Sequence, residues 1–291
     1  MASKTFDDER DQLYARYLAN KKIPIAERQR LAYEAAKEYL GRYAGLSDNN
    51  APEMRRFVAE YEKVLRHYTI FTAYTARNYA RTFELGKSML EVDPDDFYVL
   101  ATLAEAGYDD SQSNASTLDS VPYLKRAIQL LDENKVSKPE PFASNEVAQG
   151  FLNFALGWAL RTQSPVEASK ALVRAAQVES PYKSNPLTYN LLGVTILKGE
   201  YAQVSAEYNA KFGNKAPSPE QQSMLEKVAH LGDRVVDAYA RAVALSVRPE
   251  EKEARDKLLV RLTAMYKSLH NNSDAGLNEF IGSVLSKPLP Q

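Results

Sequence analysis

Apolar residues recur along most of the chain at intervals of three and four, while sustained alternation of period two is hard to find. The pattern therefore predicts helices almost throughout. The first, over 6–19, gathers Leu13, Tyr14, Tyr17 and Leu18 on one side. Pro24, at a position tolerated early in a helix, opens a second that runs through Leu31, Ala35, Tyr39 and Leu40 to about Tyr43. Gly45, Asp48, Asn49 and Asn50 read as a linker. Pro52 stands near the start of a third helix carrying Phe57, Tyr61, Val64, Leu65 and Tyr68. A fourth, over about 73–92, stops at Asp93-Pro94-Asp95-Asp96, a helix end followed by a fresh N-cap.

Further helices are expected over 97–106 and 121–131, separated by the polar run DDSQSNAST, with a proline-containing connector over 135–145. Helix pairs follow at 146–162 with 165–178 and at 186–198 with 200–212. After GNKAPSP the pattern predicts 220–231, 233–247, 250–270 and 275–285. Short turns between successive helices favour antiparallel neighbours.

The clearest unit is GFLNFALGWALRTQSPVEASKALVRAAQVESP, residues 150–181. It resembles the tetratricopeptide repeat, a helix pair of about 34 residues. Leu156 and Gly157 match the leucine–glycine pair of that repeat, and Leu160 matches the large residue that follows. Ser169 and Ala176 are the small residues where the second helix meets the first. Val173 holds the usual aromatic position and Pro181 closes the unit. Asn153 departs from the usual tryptophan, with Phe154 beside it. A second copy starts at Pro186, where Tyr189, Leu192, Gly193 and Ile196 match the first helix. Its partner helix fits less well, with Ser205 and Asn209 where a small residue and an aromatic are expected.

Shorter matches lie at Met89 to Pro94, at Tyr239, Ala242 and Val243, and at Gly276, Phe280, Ser283 and Pro288. The glycine of such a pair lets two helices approach closely. The resemblance is to a bacterial protein of this family with degenerate repeats. It implies an all-α fold of antiparallel helix pairs stacked as a right-handed superhelix, an α-solenoid. Residues 1–59 are then expected as a divergent helical cap and 60–288 as the repeat region, with best units at 150–183 and 186–219. Residues 289–291 form a tail.

Chemistry-bearing motifs are scarce. Cysteine is absent, which excludes disulfides, thiol catalysis and thiolate metal sites. His67, His230 and His270 stand in different helices and form no HExxH pair. No phosphate loop, GxSxG elbow or GxGxxG fingerprint occurs. His67 reads as a partly exposed helix residue, and His270 as one that meets the last carbonyls of its helix. Asp7-Asp8-Glu9 and Asp93 to Asp96 are expected at helix starts, where carboxylates meet free amides and the helix dipole. Several of the 18 tyrosines, including Tyr61, Tyr189 and Tyr239, recur at core spacing, so most are expected as packing residues.

A net charge of -1 argues against a nucleic-acid binder. No stretch reaches the length of a membrane span, and the first residues lack a secretory signal. These features suggest a cytoplasmic protein by default, periplasmic or membrane-associated had a leader or anchor been removed. No cofactor or metal is expected.

What the resemblance implies about function is binding rather than catalysis. The first helix of each pair lines a concave groove that takes a peptide or partner protein, often within a multiprotein assembly. On that face fall Phe151, Phe154, Trp158, Arg161 and Thr162 of one unit and Leu187, Asn190, Val194 and Lys198 of the next. Aromatic anchors, an amide and two cations together suit an extended peptide or a partner helix. Ala155 and Leu191 replace the polar groups with which one subclass clamps acidic chain ends. Two alternatives remain. One is a homo-oligomer assembling through terminal repeats, which the apolar ending from Phe280 favours. The other is an enzyme with an unrecognised polar pocket.

Overall fold

The computed structural model describes residues 2–43, 49–113, 119–212 and 218–290. Gly45 and Asp48 of the expected first linker, residues 114–117 of the polar run, residues 213–217 of GNKAPSP and Gln291 of the tail lie outside them. The described residues are helical, without a strand. Contacts divide the chain into two compact units, 1–76 and 77–291.

The first unit holds α1 (Ala2–Asn20), α2 (Ala26–Tyr43) and α3 (Ala51–Thr75), packed in sequence order. Its core is small residues and phenols: Ala32, Ala35 and Ala36 of α2 let Tyr17, Tyr39 and Tyr43 close over Met54. Tyr17 meets Phe57 edge-on at 5.3 Å, an arrangement that adds to simple burial. The boundary expected at residue 59 falls in the middle of α3, because a helix of this length continues to the turn at Ala76 and Arg77, where Arg77 is left-handed (φ 56°). Asp7-Asp8-Glu9 are likewise inside α1 rather than at its start. Asp7 pairs with Arg10 (3.5 Å) and Glu9 with Arg42 of α2 (3.2 Å).

The second unit runs through α4 (Tyr79–Val92), α5 (Phe97–Ser113), α6 (Val121–Asp132), α7 (Asn145–Leu160), α8 (Pro165–Gln177) and α9 (Pro186–Ile196). It continues with α10 (Ala202–Phe212), α11 (Pro219–Leu245), α12 (Lys252–Leu269) and α13 (Leu277–Ser283). Asp96 Oδ1 accepts from Val99 N (3.4 Å), the cap expected at Asp93 to Asp96, and Ser144 Oγ accepts from Val147 N (3.3 Å) and Asn185 Oδ1 from Leu187 N (2.9 Å) in the same way. From α4 to α9 each helix packs on the next, and α7 also touches α5 and α9. A methyl group on Gly157 would overlap the Leu172 side chain, so the glycine seats α8 directly on α7. Ser169 and Ala176 are buried on either side of that contact.

Beyond α9 the pairing changes. A π-turn, Leu197–Tyr201, joins α9 to α10, and its Gly199 has non-helical angles (φ -98°, ψ -106°). A Cβ there would stand 3.1 Å from the backbone nitrogen of Val166, at the start of α8. α10 then packs on the π-turn and on α11, not as a partner of α9. Gln221 Nε2 meets Tyr208 Oη (3.3 Å), Lys211 pairs with Glu220, and Arg234 pairs with Glu200 (3.4 Å). α10 and the N-terminal part of α11 are thus an antiparallel hairpin, mostly exposed, inserted between α9 and its true partner. That partner is the C-terminal part of α11, buried almost all round from Val235 to Val243.

The helix that packs on α9 is therefore the C-terminal part of α11, not the α10 segment expected within 186–219. The helices expected at 220–231 and 233–247 are one, since Gly232 continues it and faces α12, where a Cβ on Gly232 would stand 2.9 Å from the Leu269 side chain.

The apolar ending folds back on its own core. Leu277 and Val284 are buried there, with Phe280, Ile281 and Leu289 packed alongside. Arg241 locks this ending: it pairs with Asp237 (2.6 Å), both buried, and donates from Nη2 to the carbonyls of Lys287 and Pro288 (2.9 Å each). Burial raises the Asp237 carboxyl against the pull of Arg241.

Candidate functional site

The residues expected on the inner face separate into two groups. Phe154 is 0% exposed and Phe151 is buried, because rings from two other segments cover them. Tyr108 of α5 meets Phe151, Phe154 and Trp158 edge-on, with ring centres 5.6–5.9 Å apart. Tyr182, in the 3-10 turn Pro181–Ser184, lies 4.9 Å from Phe154. These two phenylalanines are core residues, and the expectation that they anchor a ligand is corrected. Trp158 stays half-buried. Its Nε1 donates to Ser111 Oγ (2.9 Å), and the Arg161 guanidinium lies 4.0 Å from the ring centre while bonding the Trp158 carbonyl. Burial lowers the Arg161 pKa. Thr162 is exposed, Leu187 packs against the core, and Asn190 Oδ1 is enclosed without a donor.

Beside the aromatic cluster stands Glu105 of α5. Burial, with Asp109 one turn on, pushes its carboxyl up to about 7. Tyr182 is pushed up to about 12 by burial and then by the charges of Tyr108, Glu105 and Asp109. Sequence reasoning passed over Glu105, Tyr108 and Tyr182. The visible signal was their polarity at the end of a largely apolar run, FYVLATLAEAGY, and a phenol directly after the closing proline.

Val194 and Lys198 do line a groove, of about 550 Å³, together with Leu197, Tyr239, Arg261 and Met265. Its walls are α9 with the π-turn on one side and α12 on the other, and its floor is α11. Gly193 makes that floor possible: a Cβ there would stand 2.5 Å from the Tyr239 ring, so only glycine lets the phenol lie flat between the walls. The walls are mostly apolar, with Lys198, Arg261 and the Ser268 hydroxyl as their polar groups, and among the described residues no carboxylate lines the groove. A second depression, about 480 Å³, lies along the hairpin beside Val204, His230 and Leu231.

His67 is half-exposed, and His270 stacks on Tyr266 (3.9 Å) with Nδ1 at the Tyr266 carbonyl (2.9 Å), the helix-end contact expected for it. Among the described residues no three His, Cys, Asp or Glu stand together as metal ligands, and no helix is long and apolar enough to cross a membrane. Comparison of the chain with protein-family models, with curated proteins and with solved structures finds no match.

Proposed function

We propose that the chain is a tetratricopeptide-like scaffold that binds a partner protein, without catalysis, on the face formed by α9 and α12. The observation that carries this reading is the groove over Tyr239. It is a concave apolar surface of ligand-site size with a few polar groups at its edge, and it includes two residues that repeat spacing alone placed on the inner face. The contacts of α7 with both α5 and α9 support the stacking of first helices that a solenoid requires. Glu105 is the strongest residue for an enzymatic reading, and the charged groups that act on it and on Tyr182 are phenols and another carboxylate, a set that nominates no nucleophile.

Affinity capture from the source lysate, read by mass spectrometry, tests this. Ala264→Trp fills the groove from an exposed position on α12 without disturbing the core. A protein held by the wild type and lost on filling is the expected result. An identical captured set for both forms defeats the proposal.

The homo-oligomer has its own supporting observation, at α3 rather than at the C-terminal end. Val64 (63% exposed), Leu65, Tyr68 (67%) and Phe71 form an apolar stripe at helical spacing. A dimer that dissociates on Val64→Lys, Tyr68→Lys in sedimentation velocity would favour it. A monomeric wild type removes it.

A further inference from the structure

We infer that the groove between α9 and α12 takes an internal acidic segment of the partner, its apolar side chain over Tyr239 and a carboxylate on either side. This rests on the interaction reading above and names the chemistry of the occupant.

The charge argument comes first. Lys198 and Arg261 make no ion pair or hydrogen bond among the described residues, and both are exposed at the rim. Arg174 and Lys125 of this unit have carboxylates beside them and pair with Asp132 (2.5 Å) and Glu167 (2.7 Å), whereas the residues lining the groove offer Lys198 and Arg261 none. Tyr239 is 3% exposed and its hydroxyl makes no hydrogen bond among the described residues, although Arg261 is near enough to lower the phenol pKa against the effect of burial. An acidic occupant would supply partners for both cations and an acceptor for the phenol.

The spacing comes second. Glu200 meets Arg234 while Gly193 meets Tyr239, so α9 runs antiparallel to α11. Arg255 Nε donates to the Val243 carbonyl (3.3 Å) while Leu269 faces Gly232, so α12 does the same. The two walls are therefore parallel. Arg261 stands close to the level of Tyr239 and Gly193, whereas Lys198 lies more than a turn further along the opposite wall, about 7 Å at about 1.5 Å per residue. The two cations are thus anchored on opposite walls and at different levels, an offset that two carboxylates of one continuous segment match better than a single chain end does. An extended segment advances about 3.3 Å per residue. Carboxylates two or three positions apart, with apolar residues between them, span the diagonal.

The test uses the full chain and a fluorescein-labelled, C-terminally amidated octapeptide, Gly-Ser-Glu-Leu-Leu-Glu-Ser-Gly, followed by anisotropy. Controls replace both glutamates by glutamine, both glutamates by lysine, or both leucines by serine. The acidic probe is expected to bind, with each control at least about fivefold weaker. Lys198→Glu and Arg261→Glu should each weaken it about fivefold, the scale of one exposed ion pair made repulsive. In the double reversal the lysine probe should bind better than the acidic one. Equal binding of the acidic and glutamine probes, saturation by laurate but not by peptide, or no saturation at all overturns the inference. If the probes fail while a lysate protein is still lost on Ala264→Trp, the acidic occupant is wrong and the interaction reading stands. If filling changes nothing either, both fall.

Discussion

The pairs α7–α8 and α9–α11 solve one packing problem in two ways. Each begins with a leucine–glycine step, and each glycine admits a large side chain from the helix across from it. In the first pair that side chain is Leu172, from the next helix in the chain. In the second it is Tyr239, from a helix reached only after the α10 hairpin has gone out and back. The first pair closes on aliphatic volume and leaves a filled core. The second closes on a phenol whose ring floors an open groove. A packing rule that acts through one glycine and one opposing side chain does not register how much chain lies between them, so an insertion costs little and can bring a new surface with it.

The largest difference should appear between two arginines. Arg241→Ala strips the buried partner from Asp237 and two donors from the chain ending, and is expected to cost about 3–5 kcal/mol in urea unfolding. Arg174→Ala in the first pair breaks only a half-exposed pair and should cost under about 1 kcal/mol. Equal costs would mean that the ending is not held by Arg241.

The two glycines come next. Gly193→Ala should cost about 1–3 kcal/mol, because the Tyr239 ring has to move as a rigid plate, and should abolish probe binding in the groove. In Gly157→Ala the Leu172 rotamer can give way, and the better helix propensity of alanine offsets part of the strain. It should leave the groove unaffected.

Glu105 touches the first pair through pH. Its folded pKa of about 7 exceeds the ordinary 4.5, so the folded state holds the proton more tightly. The associated stability is full below about pH 4.5 and is lost as pH rises through 7. Glu105→Gln should therefore stabilise the protein at pH 8 by about 1–3 kcal/mol, with the gain disappearing near pH 4 in thermal melts. A gain independent of pH would assign the effect to shape rather than to charge.

The smallest effect is expected from removing the hairpin. Val204 and His230 face the same depression, so a short Gly-Ser linker can replace 205–229. The melting temperature should change by no more than about 2–4 °C. Collapse of the fold would show the hairpin to be part of the core.

Helical period, proline starts and the aspartate run at 93–96 made nearly every helix legible in the sequence, and the glycine contacts followed from the leucine–glycine steps. The hairpin was hidden because α10 and α11 carry the same period as their neighbours. Its trace was the poor fit of Ser205 and Asn209, which fail as partner positions because they are not partner positions. Val194 and Lys198 were found by counting along one helix. Tyr239 and Arg261 were not, since they enter from helices whose place depends on where the insertion ends. Phe151 and Phe154 were misplaced for a related reason: counting gives the side of α7 they occupy, but not that Tyr108 and Tyr182 roof that side over.

The same insertion sets an order of events on the ribosome. α7 can close on α8 as soon as Leu172 has emerged, whereas α9, buried at most of its positions in the finished protein, must wait for Tyr239. At about 5–20 residues per second the delay is a few seconds, during which one apolar side of α9 has no cover from its own chain. α9 is thus the segment that a nascent-chain chaperone would be expected to meet, and lengthening the hairpin would prolong that exposure without altering the final fold.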